Sequence, residues 1–335
     1  MIVAEAEELD LAVRVLEAHG APPHAAAVQS RQLVEADLRG QHSHGLQRLP
    51  TIAQRIRNGL ADPTALPATR WVSESFLEAD GARGLGPVVA FDVIGRLLGR
   101  AATNGIAVGA VHNSNHLGIL ACYVEHIADA GHIGVALTTS EALVHPHDGR
   151  RAMVGTNPVG VGVPTEGEPF VLDMSTGAVS RGKILAFARD GKPLPSGWAV
   201  DIDGNPATDA SRAVDGAISP FGGPKGYALG LALELVVAAV TGSELGERVR
   251  GTLDTSAVCN KGDLFLVFST EALGLTGVVG RVTCYLDEVR ASPRAPGADR
   301  IDVPGDRARR MRAERRADGI PLEDVVWDAA AGLLG

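Results

Sequence analysis

The first sixty residues carry apolar side chains at helical spacing. Apolar residues recur there every three or four positions, first at Leu9, Val13 and Leu16 and then at Val28, Leu33 and Val34. A third short helix is predicted from Gln47 to Asn58, with Gly59 as its end. The polar stretch DLRGQHSHGLQRLP, residues 37–50, is therefore expected to link two helices.

From Trp71 onward, short β-branched runs alternate with helical patterns. Strands are predicted at 106–112, 133–139, 170–174 and 264–269, and helices near 87–101 and 117–130. This alternation predicts an α/β region with a substantial sheet.

The remaining chain contains a loop-rich connection, an apolar helix and a helical C-terminal region. Gly and Pro cluster between 191 and 224, before a very apolar helix that starts near Gly226. This helix carries Glu234 and falls short of the roughly 20 residues that a bilayer requires, so we expect a buried helix. Because the chain looks helical again after Pro304, its two ends are expected to pack together.

Composition and charge narrow the classes of function. The 335 residues are 45% hydrophobic and 21% charged, a balance that supports a globular core. The net charge of −9, from 31 basic and 40 acidic residues, argues against nucleic acid or an anionic membrane as a partner. The basic stretch from Arg307 is interleaved with acids and lacks aromatic residues, so we interpret it as a solvated helix face rather than an anion-binding patch.

The cysteines and the N-terminus indicate a cytoplasmic protein. Cys122, Cys259 and Cys284 are too few and too scattered for a disulfide framework or for structural zinc. The first twenty residues are acidic and amphipathic, unlike a signal peptide.

His116 is the first candidate for chemistry. It follows a predicted strand that ends at His112 and is expected to open a helix whose inner stripe is Leu120, Val124 and Ile127. The helix dipole would hold the imidazole neutral, and a free ring nitrogen would then accept a proton from a substrate hydroxyl. The alternative is that His116 only caps its own helix.

Residues 37–50 supply the second polar cluster. Ser43 and His44 lie in an interhelical turn, and Arg48 follows four residues after His44, so all three can face one bound carboxylate. The alternative is that Arg48 pairs with Asp37 while the histidines cap helices, and the motif alone favours this simpler arrangement.

The sequence motifs do not indicate a metal site or a Rossmann dinucleotide-binding site. The histidines form no H-E-x-x-H pattern, so we expect no metal. The G-x-G of residues 82–90 lacks the third glycine and a βα context.

Three other segments are candidates for a dinucleotide. They are a tight turn with free backbone donors at 155–160, a strand-to-helix passage at 172–183 capped by Ser175 or Thr176, and a helix start at 222–227 with Lys225. In the second, Asp173 is suited to a ribose hydroxyl. Each segment alone is a weak signal, because capped helices with glycine loops are common.

The ordered motifs together resemble a known family. DLRGQHSHGLQRLP, NSNHLG, GTNPVGVGVP, LDMSTGAVSRGKI, LPSGWAVDIDGNPATD, GGPKGYALGLALELV and VPGDRARRMRAERRADGIPL, spread over residues 5 to 330, resemble the non-Rossmann malate/L-lactate dehydrogenase family. Its members include ureidoglycolate and sulfolactate dehydrogenases, 2,3-diketogulonate reductase and reductases of cyclic imino acids.

The resemblance implies an α/β fold in which a non-Rossmann, β-rich dinucleotide-binding domain packs beside a helical domain built from both chain ends. By this division the helical domain comprises residues 1–70 and 290–335, and the cofactor domain comprises 71–289 with a helical segment near 225–245. It also implies a cytoplasmic homodimer that uses NAD or NADP, with the preference left open.

The resemblance also assigns site residues. His44 and His116 correspond to the acid/base pair, and Ser43 and Arg48 to contacts with the substrate carboxylate. The residues that match cofactor-contacting stretches are Ser140, Thr156, Asn157, Asp173, Met174, Ser175, Lys225, Pro304, Gly305 and Asp306. Apart from the resemblance, Arg181 lies near the expected ribose, where pairing with a 2′-phosphate would favour NADPH.

Several residues depart from the family pattern. Cys259 stands where relatives often have a substrate-binding arginine, and Lys261, two positions on, is the candidate replacement. Glu141 replaces an aspartate of some members, and the loop at 145–149 reads HPHDG. These departures point to an unusual substrate.

The sequence thus predicts an NAD(P)-dependent oxidoreductase acting at C2 of a small 2-oxo or 2-hydroxy acid. One alternative is a reductase of a cyclic 2-imino acid. Another is a non-catalytic binding protein on this scaffold, for which the Cys259 departure is the main support. A metal-dependent hydrolase is the least favoured hypothesis. The expected partner is a small carboxylate substrate, with no nucleic acid and no membrane.

Overall fold

The computed structural model describes residues 1–252 and 254–335. The helices are α1 (Glu5–Ala18), α2 (Pro23–Leu38), α3 (Leu49–Arg57), α4 (Gly86–Asn104), α5 (Ala121–Asp129), α6 (Arg181–Arg189), α7 (Ala210–Val214), α8 (Pro224–Thr241), α9 (Val278–Ala291), α10 (Asp306–Asp318) and α11 (Asp324–Ala331). The strands are β1 (Ile2–Val3), β2 (Ala68–Trp71), β3 (Phe76–Asp80), β4 (Ile106–His112), β5 (His132–Thr138), β6 (Ala142–Val144), β7 (Val154–Gly155), β8 (Val159–Val163), β9 (Phe170–Met174), β10 (Ala199–Val200), β11 (Ala217–Ile218), β12 (Asp263–Ser269) and β13 (Ile320–Pro321).

A seven-stranded sheet organises the central part of the chain. Its strand order is β2-β3-β4-β12-β5-β8-β9, in which β3 and β4 run parallel and the other neighbours antiparallel. The four strands predicted from the sequence correspond to β4, β5, β9 and β12. Helices α4 and α5 pack on one face around Phe265, and α8 packs on the other through Val237. The mixed α/β fold is therefore confirmed.

The two ends of the chain share a hydrophobic core. Strand β1 pairs with β13, and side chains of α1, α2 and α11 pack around Leu16, Leu38 and Ile320. The division into a helical domain (1–70 with 290–335) and a cofactor domain (71–289) stays a prediction.

Helix α5 begins at Ala121, so the prediction that a helix starts near His116 is wrong. Asn113 and Gly118 have positive φ values of 52° and 79°, which interrupt a helix. The Asp173 carboxylate accepts the Ala121 N–H at 2.9 Å and thereby sets the start of α5. Residues 113–120 are consequently a loop that follows β4.

Helix α6 also begins later than predicted, at Arg181 rather than after Ser175 or Thr176. Ser180 is its N-cap and accepts the Lys183 N–H. The segment before it is extended because Gly177 pairs with Pro220 in an antiparallel bridge. A smaller sheet of order β10-β11-β6-β7 lies beside this segment.

Helix α8 is not the buried helix that was expected. Gly226, Gly230, Glu234, Val237 and Ala238 are buried, but Leu235 is 50% exposed and several neighbouring apolar side chains are similarly open. Its mean hydropathy of 1.3 and its 18 residues meet the composition and length of a membrane span. Its Glu234, however, is hydrogen-bonded to the protein backbone at Gly155 and Gly246.

The basic stretch from Arg307 is not simply a solvated face. Arg312 donates to Glu35 at 2.8 Å, and Arg315 donates to the Asp37 carbonyl and contacts His42 Nε2 at 3.2 Å. These half-buried arginines attach α10 to the end of α2, beside residues 37–50.

Candidate active site

Two loops bring the predicted histidines into contact. His44 lies between α2 and α3, His116 lies after β4, and their rings stack with centroids 5.4 Å apart and an interplanar angle of 25°. Arg48 places its Nη2 atom 3.4 Å from His116 Nε2. Three candidate residues from two distant segments therefore meet at one point.

The loop at 39–48 is shaped by Asp37. This buried carboxylate accepts hydrogen bonds from His42 Nδ1 and the Leu46 N–H, each at 2.6 Å. A side chain at Gly45 would clash with the same carboxylate, so only glycine fits there. The alternative in which Arg48 pairs with Asp37 is wrong, because Asp37 is occupied by the loop itself.

Two neutral amides, Gln32 and Asn115, bind backbone carbonyls at the loop of residues 113–120. Gln32 of α2 donates to the carbonyls of Leu117 and Ile119 at 3.1 and 3.2 Å. Asn115 donates to the backbone of Arg83 and Gly84. His116 is thereby fixed in orientation without belonging to a helix.

Both imidazoles are neutral near pH 7. Burial and, to a smaller extent, the charge of Arg48 lower the pKa of His44 to about 4. Burial, followed by the charge of Arg48, lowers the pKa of His116 well below its usual value. The expected neutral state of His116 is therefore found, but its cause is burial and not a helix dipole.

The tautomer of His116 follows from its backbone contact. Its Nδ1 accepts the Gly118 N–H at 3.0 Å, so the proton of the neutral ring is on Nε2. The ring nitrogen that faces Arg48 is then a donor, and the expectation that His116 offers a free basic nitrogen is not supported. His44 differs, since its Nδ1 lies 2.9 Å from Ser43 Oγ, a group that accepts as well as donates.

Two donors consequently face each other across a short gap. Arg48 Nη2 and His116 Nε2 both carry hydrogens, and a pair of donors 3.4 Å apart is not itself a stabilising hydrogen bond. An acceptor oxygen placed beside both nitrogens would satisfy them. This arrangement suits a carboxylate or a carbonyl oxygen of a small ligand.

A narrow cavity of about 30 Å³ opens at this point. It is lined by Gln29, Leu33, His44, Arg48, Thr51, Ile52, Arg55, Ala61, Leu85, Asn115, His116, Gly118 and Thr252. The lining thus includes both imidazoles and Arg48.

Sequence reasoning missed Arg55 in this lining. Arg55 is 4% exposed and donates to Asn115 Oδ1 and to the carbonyls of Asp254 and Ala257. Its position seven residues after Arg48 was the available signal, because residues seven apart lie on one face of a helix.

Lys261 and Cys259 do not line the cavity. Lys261 is 2% exposed and forms a buried ion pair with Asp263. Burial raises the pKa of Cys259 to about 11, so its thiol is neutral. The structure thus places the predicted substrate contact Lys261 in a structural pair instead.

The predicted tight turn at 155–160 has no free donors at its first two residues. The Gly155 N–H binds Glu234 Oε2 and the Thr156 N–H binds Ser140 Oγ, each at 2.9 Å. Asn157 also donates to Glu234, at 2.7 Å. The expectation of free backbone donors is wrong here, because Glu234 of α8 and Ser140 take them.

The other predicted cofactor segments lie next to this turn and to the histidine loop. Thr176 donates to the Thr156 carbonyl through both its N–H and its Oγ1. At the start of α6, a Cβ on Gly182 would be 3.1 Å from Ser43 Cβ, which places Arg181 beside the His44 loop. Lys225 is exposed in the first turn of α8.

Asp173 has a structural contact as well as its predicted role. It caps α5, and burial raises its pKa to about 6. Met174 and Ser175, which follow it, are half-buried.

Residues 304–306 lie at the edge strand β9. The Pro304 carbonyl accepts the Val171 N–H at 3.4 Å. Gly305, with a φ of 102°, precedes α10, and the Asp306 carboxylate pairs with Arg290 and Arg309, which help hold its pKa at about 2. This segment is distant in sequence from the histidines and contacts the sheet rather than the cavity lining.

Comparison with known proteins identifies the family of the chain. Residues 3–330 match the family described as malate/L-lactate dehydrogenase. The chain belongs to that family. The sequence-based resemblance is therefore confirmed, and the chain is an oxidoreductase of the malate/L-lactate dehydrogenase family.

Its relatives in this family act on different small acids. The chain is 36% identical to an L-sulfolactate dehydrogenase of Methanocaldococcus jannaschii, over 98% of this chain and 95% of that protein. It is 39% identical to a Δ1-pyrroline-2-carboxylate reductase of Pseudomonas fluorescens, over 69% of both. Among solved structures, a dehydrogenase from Sinorhizobium meliloti matches with a TM-score of 0.96 and 45% identity, over 100% of this chain and 98% of that one.

Proposed function

We propose that this enzyme transfers a hydride between NAD or NADP and C2 of a small 2-oxo or 2-hydroxy acid. The observation that carries the proposal is the contact of Arg48 with His116 and of His116 with His44. One cation for a carboxylate, one donor for the C2 substituent and one basic imidazole are the groups that this reaction requires.

Two basic residues at helix starts fit a dinucleotide. Arg181 at the start of α6 and Lys225 at the start of α8 combine a positive charge with a helix N-terminus, which suits phosphate groups. Gly182 abuts Ser43, so the phosphate-binding side and the substrate side are contiguous. When bound, the nicotinamide supplies the hydride or accepts it.

The protein binds, orients and moves a proton. In the oxidative direction, Arg48 binds the substrate carboxylate, and His116 Nε2–H donates to the C2 oxygen. The C2 hydroxyl proton passes to Nε2 of His44, while the C2–H bond yields its hydride and the C2–O bond becomes a carbonyl. Ser43 Oγ accepts the Nδ1–H of His44 and orients this ring, a role we assign in place of the expected carboxylate contact.

A cyclic 2-imino acid is the second candidate substrate, and the neutral histidines favour it. Reduction of a ketone requires a proton from an imidazolium, and a pKa near 4 makes this form scarce at pH 7. An iminium substrate carries its own proton on nitrogen, so C2 receives the hydride and the product amine forms without a proton from His44.

Steady-state assays test the proposal. Loss of NADH or NADPH is followed with small 2-oxo acids, with and without methylamine, and with cyclic imino acids. We expect turnover with at least one class, and a rise in KM on the order of 100-fold for Arg48→Gln because the carboxylate loses its charged partner. Arg57→Gln, an exposed arginine of the same helix, is the matched control and should leave KM unchanged. Absence of turnover with every substrate and both cofactors would contradict the proposal.

The dependence on pH tests the role of His44. A base that is neutral down to about pH 4 keeps kcat/KM for oxidation of a 2-hydroxy acid flat between pH 5 and 7. A base with the ordinary histidine pKa of 6.5 would instead lose activity over this range. Ser43→Ala should lower kcat more than it raises KM, because Ser43 orients the base.

Arg181 provides a test of cofactor choice. We expect Arg181→Ala to raise KM for NADPH by about tenfold or more and to leave KM for NADH unchanged, because only NADPH carries a 2′-phosphate. Arg189→Ala, at the other end of α6, is the matched control. Equal effects on both cofactors would assign Arg181 to another contact.

A further inference from the structure

The charges around the cavity define which acids it accepts. Among the lining residues that the structure describes, Arg48 and Arg55 are cationic and none is acidic. Glu141 lies outside the lining, but its charge acts on Arg48, and it accepts hydrogen bonds from Thr252 of the lining. Two positive charges and one negative charge leave a balance of one positive charge for the substrate.

Arg55 has little capacity to bind a second anionic group. Its Nε and Nη2 donate to Asn115 Oδ1 at 3.1 and 3.0 Å, and its Nη1 donates to the carbonyls of Asp254 and Ala257 at 2.7 and 3.1 Å. These bonds use four of the five N–H groups of the guanidinium. Arg55 therefore connects α3 to Asn115 and to residues 254–257. Arg48 remains as the cation whose N–H groups can bind a ligand.

Lys261 adds no second anion site. Its ammonium group is buried and paired with Asp263, so Lys261 acts on the site through its charge, which helps lower the pKa of His116, and not as a ligand contact. Breaking this pair to bind a ligand would leave a buried carboxylate without its partner, which is costly.

Four apolar residues form one side of the cavity, while Gln29, Thr51, Asn115 and Thr252 are its other polar lining residues. Leu33, Leu85 and Ala61 are 2%, 2% and 5% exposed, and Ile52 packs against the core clusters that contain Leu33 and Leu85. We call these four residues the apolar wall. A charged group placed against it would lose its hydration without gaining a partner.

We propose that the substrate is a monocarboxylate whose remaining atoms are apolar, and that the enzyme rejects acids with a second anionic group. The carboxylate is bound by Arg48, and the carbons beyond C2 lie against the apolar wall. Both open-chain 2-oxo acids with alkyl side chains and cyclic 2-imino acids meet this description. The inference rests on the hydride transfer proposed above and specifies its substrate.

A pair of substrates of equal size tests this inference on the wild-type enzyme. 4-Methyl-2-oxopentanoate and oxaloacetate have the same number of non-hydrogen atoms, but the isopropyl group of the first is a carboxylate in the second. We expect kcat/KM to favour 4-methyl-2-oxopentanoate by about 100-fold or more, because the second carboxylate of oxaloacetate meets no cation. 3-Sulfopyruvate and Δ1-piperideine-2-carboxylate extend the comparison, as an acid with two anionic groups and a cyclic acid with one.

A variant of the apolar wall should reverse the selectivity. Ile52 lies on α3 four residues after Arg48, so Ile52→Arg adds a second cation on the same face of the helix. The ratio of kcat/KM for oxaloacetate over 4-methyl-2-oxopentanoate should rise at least about tenfold. Ile52→Met is the matched control and should keep the wild-type ratio. If Ile52→Arg fails to fold, the wild-type ratio decides alone.

The outcomes separate this inference from the proposed function. A wild-type preference for oxaloacetate or 3-sulfopyruvate overturns the inference and leaves hydride transfer at C2 intact. No turnover of any of the four substrates with NADH or NADPH overturns both. Turnover confined to the two substrates with a single anionic group supports both.

Discussion

The loops that carry His44 and His116 are each held in place by a side chain, but the two anchoring side chains differ in charge. The loop at 39–48 is held by a carboxylate, Asp37, and the loop at 113–120 by an amide, Gln32. Both anchors belong to α2, so one helix sets the separation of the two imidazoles. The difference lies in how each loop should respond to pH.

The carboxylate anchor Asp37 lies beside a second buried acid. Glu8 of α1 is fully buried, and in the described part of the chain its two carboxyl oxygens have no hydrogen-bond partner. Burial and the charge of Asp37 raise the pKa of Glu8 to about 9. The first loop therefore rests on a pair of acidic groups that share a buried site, whereas Gln32 has no charge to lose.

Replacing each histidine by asparagine should give the largest effect. We expect His44→Asn to lower kcat on the order of 10²–10⁴-fold, because the proton acceptor is lost. His116→Asn should cost less, since an amide N–H replaces the Nε2–H donor. Measurement of kcat at saturating cofactor compares the two, and a larger loss for His116→Asn would exchange the roles assigned here.

Removal of the carboxylate anchor should come next. Asp37→Asn weakens two charge-assisted contacts, to His42 and to the Leu46 N–H, and we expect a loss of roughly 2–3 kcal/mol in the free energy of unfolding. Activity should fall as well, because the loop that carries His44 loosens. Urea unfolding at pH 7 gives the first quantity, and wild-type stability in this variant would show that the loop is held by other contacts.

Removal of the amide anchor should have a smaller effect that is independent of pH. Gln32→Leu leaves the carbonyls of Leu117 and Ile119 without their donor, at a cost of about 1–2 kcal/mol. The loss should be equal at pH 5 and pH 8. A loss of unfolding free energy that differs between pH 5 and pH 8 would contradict the expectation that the Gln32 anchor is independent of pH.

The smallest expected effect is a gain in stability. The pKa of Glu8 rises on folding from 4.5 to about 9, so its proton is bound more tightly in the folded state. The folded state then loses stability as the pH rises from 4.5 towards 9. Glu8→Gln should raise the free energy of unfolding by about 1 kcal/mol at pH 8 and have little effect at pH 4.5. Equal effects at the two pH values would show that Glu8 is not protonated in the folded protein.

The sequence predicted the elements well where local pattern determines them. The strands β4, β5, β9 and β12 have strong apolar patterns, and the link between α2 and α3 is marked by its polar composition. The start of α5 was misplaced because it depends on Asp173 and on the conformations of Asn113 and Gly118. The exposure of α8 was also missed, since apolar composition does not reveal how much of a helix the sheet covers.

The candidate site was also predictable only in part, because some of its contacts join residues that are far apart in sequence. His44, Arg48 and His116 stand in recognisable motifs, and the structure brings them together. The contribution of Arg55 depends on Asn115 and on the carbonyls of Asp254 and Ala257, which are far from it in sequence. The tautomer of His116 depends on the single backbone contact with Gly118. Contacts of this kind follow from the folded arrangement and not from a motif.

A crystal structure of the enzyme with a nicotinamide dinucleotide and oxamate, a small unreactive analogue of a 2-oxo acid, tests the central claim most directly. We expect the oxamate carboxylate to contact Arg48. The amide oxygen or nitrogen of oxamate should lie within hydrogen-bond distance of His116 Nε2 or His44 Nε2, and the nicotinamide C4 should face the amide carbon. Oxamate bound away from Arg48, or a nicotinamide ring remote from both imidazoles, would contradict the claim.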